Sequence, residues 1–180
     1  MLPIMDGFAK YLSHELPVLQ ITWARYFFTV LFTFPLMFFF FKKYLLWTDK
    51  PKLQLIRGLI LLTANICFFY SISVISLPKA LTLAFVAPLV VTAFSPIFLG
   101  ESVGYRRWTA VIIGFIGSLV VIRPGLVEIN LASLAALGTG IMYGFYLIIT
   151  RKLSTSDNPL LTLLLTGVVG AIIATTCLLY

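Results

Sequence analysis

The chain has 180 residues and a formal net charge of +7; 61% of its residues are hydrophobic, 11% are charged, and the mean hydropathy is +1.06. A soluble domain of this size cannot bury so much apolar surface, because a folded protein needs a largely polar exterior. The composition therefore excludes a soluble protein and predicts an integral membrane protein. In a membrane protein, the distribution of basic residues among the loops indicates the topology. The net positive charge is therefore examined loop by loop before a nucleic-acid partner is considered.

Apolar runs of about 20 residues, the length that crosses the hydrocarbon core, follow one another along the chain. A shorter run at residues 1–13 is followed by runs at 18–41, 53–75, 80–99, 105–122, 131–150 and 160–180. Only helices suit spans of this length, since lipid offers no hydrogen-bonding partner to an open sheet. The sequence predicts an all-α fold, a polytopic transmembrane helix bundle of about seven spans.

Basic residues concentrate in every second connection between the predicted spans. One side carries Lys42, Lys43, Lys50, Lys52, Arg57, Arg106, Arg107, Arg151 and Lys152, whereas the loops on the other side carry Lys79 and Arg123. Basic loops face the cytoplasm. The distribution predicts a cytoplasmic N-terminus, with the first run leading outward.

A short repeat relates two distant parts of the chain. KYLS at residues 10–13 resembles RKLS at residues 151–154, and a proline follows each copy. The stretch between them holds an odd number of predicted helices, so the copies are expected to cross the membrane in opposite directions. Inverted repeats of this kind recur in secondary transporters. Because Arg151 comes about 20 residues after its helix begins, whereas Lys10 is close to the N-terminus, we expect an incomplete first helix and a fragment of a longer carrier.

Several motifs resemble one known family when they are taken in order. They are MDGFAKYLS at 5–13, WARYFF at 23–28, the Ala87–Pro88 pair, LGE at 99–101, RRW at 106–108, Gly114 with Gly117, and RPG at 123–125. This series resembles the EamA-type branch of the drug/metabolite transporter superfamily, and the similarity extends over nearly the whole chain.

The resemblance implies a ten-helix secondary carrier made of two inverted five-helix halves, with both termini in the cytoplasm. Residues 1–125 would form the first half, with its first helix incomplete, and residues 126–180 the beginning of the second. Members of the superfamily move small metabolites such as amino acids, nucleotide-like cofactors and amphiphilic drugs. The expected location is the bacterial cytoplasmic (inner) membrane.

Arg25 is the first candidate for a substrate-binding residue. It comes seven residues after the start of the run at 18–41, at a depth of about 10 Å. A charge at that depth has to face the bundle or extend towards the headgroups. Facing inward, its guanidinium would suit a carboxylate or a phosphate. Extending outward, it would be accompanied by Trp23 and Tyr26 at the interface, and both readings stay open.

Asp6 and Lys10 are four residues apart in the first run, the spacing that pairs side chains on one helix face. The repeat predicts that Lys10 lies at the outer boundary, with Asp6 one turn deeper. The pair is expected to form an outer gate or the rim of a cavity, and an interfacial anchor is the alternative for Lys10. His14 is the single histidine, too little for a catalytic or metal site.

Further candidates for the translocation path lie in the middle of later spans. Pro88 predicts a break in the run at 80–99, with Thr92 on the same small, slightly polar face; a packing kink is the alternative. Asn65 is expected to bond to a neighbouring helix or, if it faces the Pro88 region, to the substrate. Tyr143 and Tyr146 would offer hydroxyls and aromatic faces to a substrate or simply pack against their neighbours.

Small residues at helical spacing predict close helix contacts. Three such ridges occur, namely Ala136, Gly140 and Gly144; Gly114 and Ser118; and Thr162, Thr166, Gly170 and Ala174. Glu101 is expected to form an interfacial ion pair with Arg106 or Arg107.

The sequence as a whole predicts a secondary active transporter that moves a small metabolite by alternating access. It contains no phosphate-binding G-x-x-x-x-G-K-[ST] loop, and we expect no catalytic residue, no metal site and no cofactor. The expected partners are a small-molecule substrate and membrane lipid, with no nucleic acid; coupling to protons or another solute, and assembly as a homodimer, stay open. A seven-helix receptor or retinal protein is the alternative. It would need an external N-terminus, and a retinal protein would also need a lysine in the last span, which residues 160–180 do not contain.

Overall fold

The computed structural model describes residues 2–13, 15–40, 48, 50–122, 130–154 and 157–179. His14, Lys42, Lys43 and the RPG motif at 123–125 lie outside these residues. The regular structure in the described residues is helical throughout. The helices are α1 (Leu2–Leu12), α2 (Val18–Phe40), α3 (Pro51–Val74), α4 (Leu77–Ala84), α5 (Ala87–Leu99), α6 (Tyr105–Ile122), α7 (Leu131–Leu153) and α8 (Pro159–Leu179). The predicted all-α bundle is confirmed.

Four spans in the described part of the chain are long and apolar enough to cross a membrane. They are Pro51–Val74, Leu77–Leu99, Leu131–Leu153 and Pro159–Leu179. Their bounds differ from the predicted runs by at most three residues at either end, and two of the spans begin at a proline just before the apolar stretch. The other predicted spans, Val18–Phe40 and Tyr105–Ile122, are also helical.

The span Leu77–Leu99 is divided into α4 and α5. α4 ends at Ala84, and Pro88 lies in the first turn of α5. A proline in a first turn sacrifices no helical hydrogen bond, since the N–H groups there have no partner within the helix. The break predicted from Pro88 is therefore present, and it falls at Phe85–Val86, just before the proline.

One end of the bundle is formed where α1 and α3 finish and α7 begins. The Lys10 ammonium donates hydrogen bonds to the carbonyls of Ile72 (2.6 Å) and Ile75 (2.9 Å) at the end of α3. Close by, the Ser71 hydroxyl donates to the Ala132 carbonyl in the first turn of α7 (2.8 Å). Since α1 ends where α7 begins, the two helices run in opposite directions. An inverted repeat requires that geometry. The predicted boundary between the two halves at residue 125 stays a prediction.

The other end of the bundle, called the basic end below, joins the start of α3 to the connection between α7 and α8. The Asp157 carboxylate accepts hydrogen bonds from the Thr48 hydroxyl and the Gln54 side-chain amide, both at 2.6 Å. Glu101 is at the same end and pairs with Arg151 of α7 at 2.8 Å. The prediction that Glu101 pairs with Arg106 or Arg107 was wrong, because helix packing brings Arg151 at the end of α7 into ion-pair contact with it.

Close helix contacts explain the small-residue ridges. A Cβ atom added to Gly140 would lie 2.7 Å from the Ala84 carbonyl, and one added to Gly144 would lie 2.7 Å from Val90, so α7 directly contacts the α4–α5 break. The ridge on α8 is also buried, from Thr162 to Ala174. The ridge predicted at Gly114 was wrong for the described residues, because a Cβ atom there would meet nothing within 4 Å.

Candidate functional site

Arg25 of α2 points into the bundle. Its guanidinium carbon lies 5.8 Å from the centre of the ring of Phe69, a fully buried residue of α3. It also interacts electrostatically with Asp6 of α1 and Tyr143 of α7. Among the described residues, no group accepts a hydrogen bond from this guanidinium. Of the two readings left open by the sequence, the contact with Phe69 supports the inward one.

Trp23 and Tyr26, the aromatic neighbours of Arg25 in sequence, form hydrogen bonds to other helices. The Trp23 indole donates a hydrogen bond to the Thr175 hydroxyl of α8 (2.8 Å). Tyr26 is buried, and its hydroxyl accepts a hydrogen bond from the Asn65 amide (2.7 Å). Asn65 thus bonds to a neighbouring helix, as expected for an asparagine inside a membrane bundle.

Asp6 and Lys10 do not form the predicted pair. Lys10 is engaged by the carbonyls at the end of α3, and no ion pair between the two side chains occurs in the described structure. Asp6 is only 9% exposed and has Arg25 as its electrostatic partner. Lys10 contacts the end of α3 instead of Asp6 because the unpaired carbonyls at a helix C-terminus attract a nearby ammonium.

Tyr143 and Tyr146 form a stacked pair on α7, with ring centres 5.5 Å apart and ring planes inclined by 24°. Tyr143 interacts electrostatically with Arg25. Tyr146 lies on the other side of the pair, where its hydroxyl accepts a hydrogen bond from Arg57 (2.9 Å). The Arg57 guanidinium also lies over the Tyr146 ring, 4.7 Å from its centre. The tyrosines therefore join two arginines across the bundle.

Arg57 is the residue that the sequence reasoning misplaced. The sequence predicts Arg57 in the first turn after a cytoplasmic loop, but it lies in the second turn of α3 and is only 3% exposed. Its guanidinium donates to the hydroxyls of Thr150 (2.8 Å) and Thr166 (2.7 Å) and to the Thr162 carbonyl (2.9 Å). One signal could have found it: Pro51 is a residue type favoured at the first helical position, and a helix that begins there places Arg57 almost as deep as Arg25 is in α2.

The Arg57 charge has no carboxylate within ion-pair distance among the described residues. Gln54 separates it from the nearest acid in the network: the Gln54 carbonyl oxygen lies 3.5 Å from Arg57 Nη1, and its amide donates to Asp157. All of these side chains are buried. Around Arg57, the start of α3 is therefore joined to α7 and α8 by a buried hydrogen-bonded network and not by a direct salt bridge.

Pro88 and Thr92 are not brought into this cluster. Pro88 is exposed, and Thr92 is buried on α5, which packs against α7. No hydrogen bond in the described structure joins either residue to Arg25, Asn65 or the stacked tyrosines. The candidate site thus consists of Asp6, Arg25, Tyr26, Asn65, Tyr143 and Tyr146, with Arg57 beyond it towards the basic end.

This cluster combines a guanidinium with unengaged donors, a buried carboxylate and a pair of flat aromatic rings inside a bundle of apolar helices. Residues 4–123 match the EamA-like transporter family. The chain belongs to that family. The chain is therefore an integral membrane protein of a family of transporters, and the alternative of a seven-helix receptor or retinal protein does not hold.

Named relatives differ in what they transport. The chain is 25% identical over 169 residues to an S-adenosylmethionine uptake transporter of Rickettsia bellii, and the aligned stretch covers 94% of this chain and 58% of the relative. It is 36% identical over 81 residues to a riboflavin transporter of Vibrio cholerae, covering 45% of this chain and 27% of the relative. A pseudopaline exporter of Pseudomonas aeruginosa is 33% identical over 70 residues, 39% of this chain and 25% of the relative. The chain thus spans less than two thirds of the length of these relatives, and no solved structure matches it significantly.

Proposed function

We propose that the chain forms the substrate-binding part of a secondary active transporter for a small organic solute with an anionic group. The observation that carries the proposal is Arg25, a charge inside the bundle whose hydrogen-bond donors are not engaged by the described residues. A charged side chain at this depth is costly, and in membrane proteins it commonly marks a transport path. A carboxylate or phosphate of the solute would occupy the fork of the guanidinium.

The neighbours of Arg25 narrow the chemistry of the solute. Asp6 suits an ammonium or other cationic group beside the anion, and the Tyr143–Tyr146 pair suits a flat ring. The three together favour a zwitterion attached to an aromatic ring. S-Adenosylmethionine, after which the Rickettsia relatives are named, carries a carboxylate, an ammonium and a purine. We therefore propose a solute of this type, within the class of amino acids and nucleotide-like cofactors.

Alternating access is the mechanism that these contacts support. The cluster around Arg25 is separated from the basic end by the buried network of Arg57, Gln54 and Asp157. A site shielded at one end is one of the two states that a carrier exchanges. The basic residues beyond that network support a cytoplasmic basic end and a cytoplasmic N-terminus, in the inner membrane of a bacterium.

Uptake in membrane vesicles tests the proposal, with the protein expressed as its gene encodes it and radiolabelled S-adenosylmethionine as the probe. Arg25→Ala should lower uptake at limiting substrate by about tenfold or more, because a hydrogen bond from a charged donor contributes about 1.5–3 kcal/mol. Arg25→Lys should be intermediate, since it keeps the charge and loses the fork. Arg107→Ala, which removes an exposed arginine at the basic end, is the matched control and should transport normally.

A carboxyl-free analogue makes the test specific. Decarboxylated S-adenosylmethionine should compete poorly with the substrate in the unsubstituted protein, whereas the two compounds should become nearly equivalent in Arg25→Ala. Normal transport by both Arg25 variants at equal expression would remove Arg25 from the path and with it this proposal.

A further inference from the structure

Arg57 ties three helices together at the basic end of the site. From α3 it donates to Thr150 of α7 through Nε, to Thr162 and Thr166 of α8 through Nη1, and to Tyr146 of α7 through Nη2. Each guanidinium nitrogen therefore makes at least one hydrogen bond to another helix. Without them, Gln54 would be the one remaining polar link, among the described residues, between the start of α3 and α8 with the residues just before it.

Tyr146 belongs to this clamp and to the candidate site at the same time. Arg57 contacts it twice, through the hydroxyl at 2.9 Å and over the ring at 4.7 Å. Tyr143 stacks on the same tyrosine and interacts with Arg25. A flat ligand that enters between the two rings has to part them. Because Tyr146 is in contact with Arg57, a movement of Tyr146 away from Tyr143 disturbs that contact.

We propose that Arg57 is a positioning residue that holds Tyr146 in the site and couples ligand stacking there to the opening of the basic end. When Tyr146 moves, Arg57 loses a hydroxyl partner and a ring, and its contacts to Thr150, Thr162 and Thr166 weaken. α3 can then separate from α7 and α8. The part of this proposal that concerns the opening of the basic end depends on the protein alone. The part that concerns the ligand rests on the proposed function.

The absence of a direct ion pair suits a clamp of this kind. Breaking a buried salt bridge leaves an uncompensated charge, which is strongly unfavourable. Arg57 instead uses hydroxyls and carbonyls, and Asp157 balances its charge through the Gln54 amide. Water entering from the basic end can replace these neutral acceptors one at a time. The clamp can therefore open without an isolated charge being left in the bundle.

Thiol accessibility measures the opening. Cys67 and Cys177 are first replaced by alanine, and a reporter cysteine is introduced as Thr162→Cys, which keeps the backbone carbonyl that Arg57 contacts. Ser133→Cys at the other end of the bundle is the matched reporter, since Ser133 is 7% and Thr162 is 6% exposed. Both are labelled in membrane vesicles of both orientations with a membrane-impermeant methanethiosulfonate, and the labelling rates are compared.

Arg57→Gln should raise the labelling rate of Thr162→Cys by about tenfold or more, because the loss of hydrogen bonds from a charged donor shifts an opening equilibrium by at least that factor. Ser133→Cys should change by less than about twofold. Tyr146→Phe, which removes one acceptor and keeps the ring, should raise labelling at Thr162→Cys by a smaller factor. Arg57→Lys should restore part of the protection. Addition of S-adenosylmethionine should raise labelling at Thr162→Cys when Arg57 and Tyr146 are present.

Equal acceleration at both reporters would show that Arg57 only holds the fold together, and no acceleration at Thr162→Cys would show that it closes nothing; either result overturns the proposal. If Arg57→Gln does not reach the membrane, Tyr146→Phe decides by the same comparison. An effect of Arg57→Gln without an effect of S-adenosylmethionine would support the clamp and reject this ligand. The two failures are therefore distinguishable.

Discussion

Gly170 of α8 should be intolerant of even one added methyl group. A Cβ atom at this position would lie 2.5 Å from two ring carbons of Tyr26, which is buried and hydrogen-bonded to Asn65. The ring cannot retreat without breaking that hydrogen bond, so α2 and α8 have to separate. Overpacking of this kind costs about 1–3 kcal/mol, and we take the upper value because three ring atoms are involved. A helical Gly→Ala change gains about 1 kcal/mol from propensity, which leaves a net loss of about 2 kcal/mol.

The thermal midpoint of the purified protein in detergent measures this loss. Gly170→Ala should lower it by about 4–8 °C, at about 2–4 °C per kcal/mol. Gly138→Ala is the matched control, because a Cβ atom added at this glycine of α7 would meet nothing within 4 Å. It should leave the midpoint unchanged or raise it. The reasoning is refuted if the two variants are equally stable, or if Tyr26→Leu does not relieve the effect of Gly170→Ala.

Two further predictions concern charged side chains at the two ends of the bundle. Lys10→Met should lower the thermal midpoint by about 4–8 °C, because two hydrogen bonds to carbonyls at the end of α3 are lost at a combined cost of about 2 kcal/mol; Lys10→Arg should recover part of it, and a normal midpoint for Lys10→Met would contradict the capping role. Glu101→Gln should change the midpoint by less than about 4 °C, since an exposed ion pair contributes less than about 1 kcal/mol. The Glu101–Arg151 side chains are 32% and 53% exposed, so a larger fall would show that this pair does more than bridge the surface.

Features that depend on short stretches of chain were predictable. The length of the apolar runs predicted the helices, Pro88 predicted the break in the span that holds it, and the small residues of α7 and α8 predicted buried contacts. In each case the physical cause acts within one helix or on one face of it. The inward direction of Arg25 was not predictable, because it depends on Phe69 and Tyr143 in two other helices.

The errors arose where sequence neighbours and spatial neighbours compete for the same group. Asp6 and Lys10 have suitable helical spacing, but the carbonyls at the end of α3 bind the lysine. Glu101 has two arginines nearby in sequence, but it pairs with Arg151. Spacing along one helix shows which contacts between sequence neighbours are available. A contact to another helix replaces them when it is more favourable in the packed bundle.

Arg25 and Arg57 show why a count of charges along the chain cannot identify a transport site. Each lies about 10 Å along its helix, measured from opposite ends of the bundle. A guanidinium at such a depth has to be compensated, and the two are compensated differently. Arg57 is surrounded by acceptors from α7 and α8 that lie 89 to 109 residues away in sequence, so its donors are engaged and it can act as a clamp. Arg25 has Asp6 and aromatic rings as its neighbours, and none of the described residues accepts a hydrogen bond from its guanidinium, which leaves its donors available to a solute. The distinction lies in the surroundings of each arginine, and Tyr143 and Tyr146 connect the one to the other.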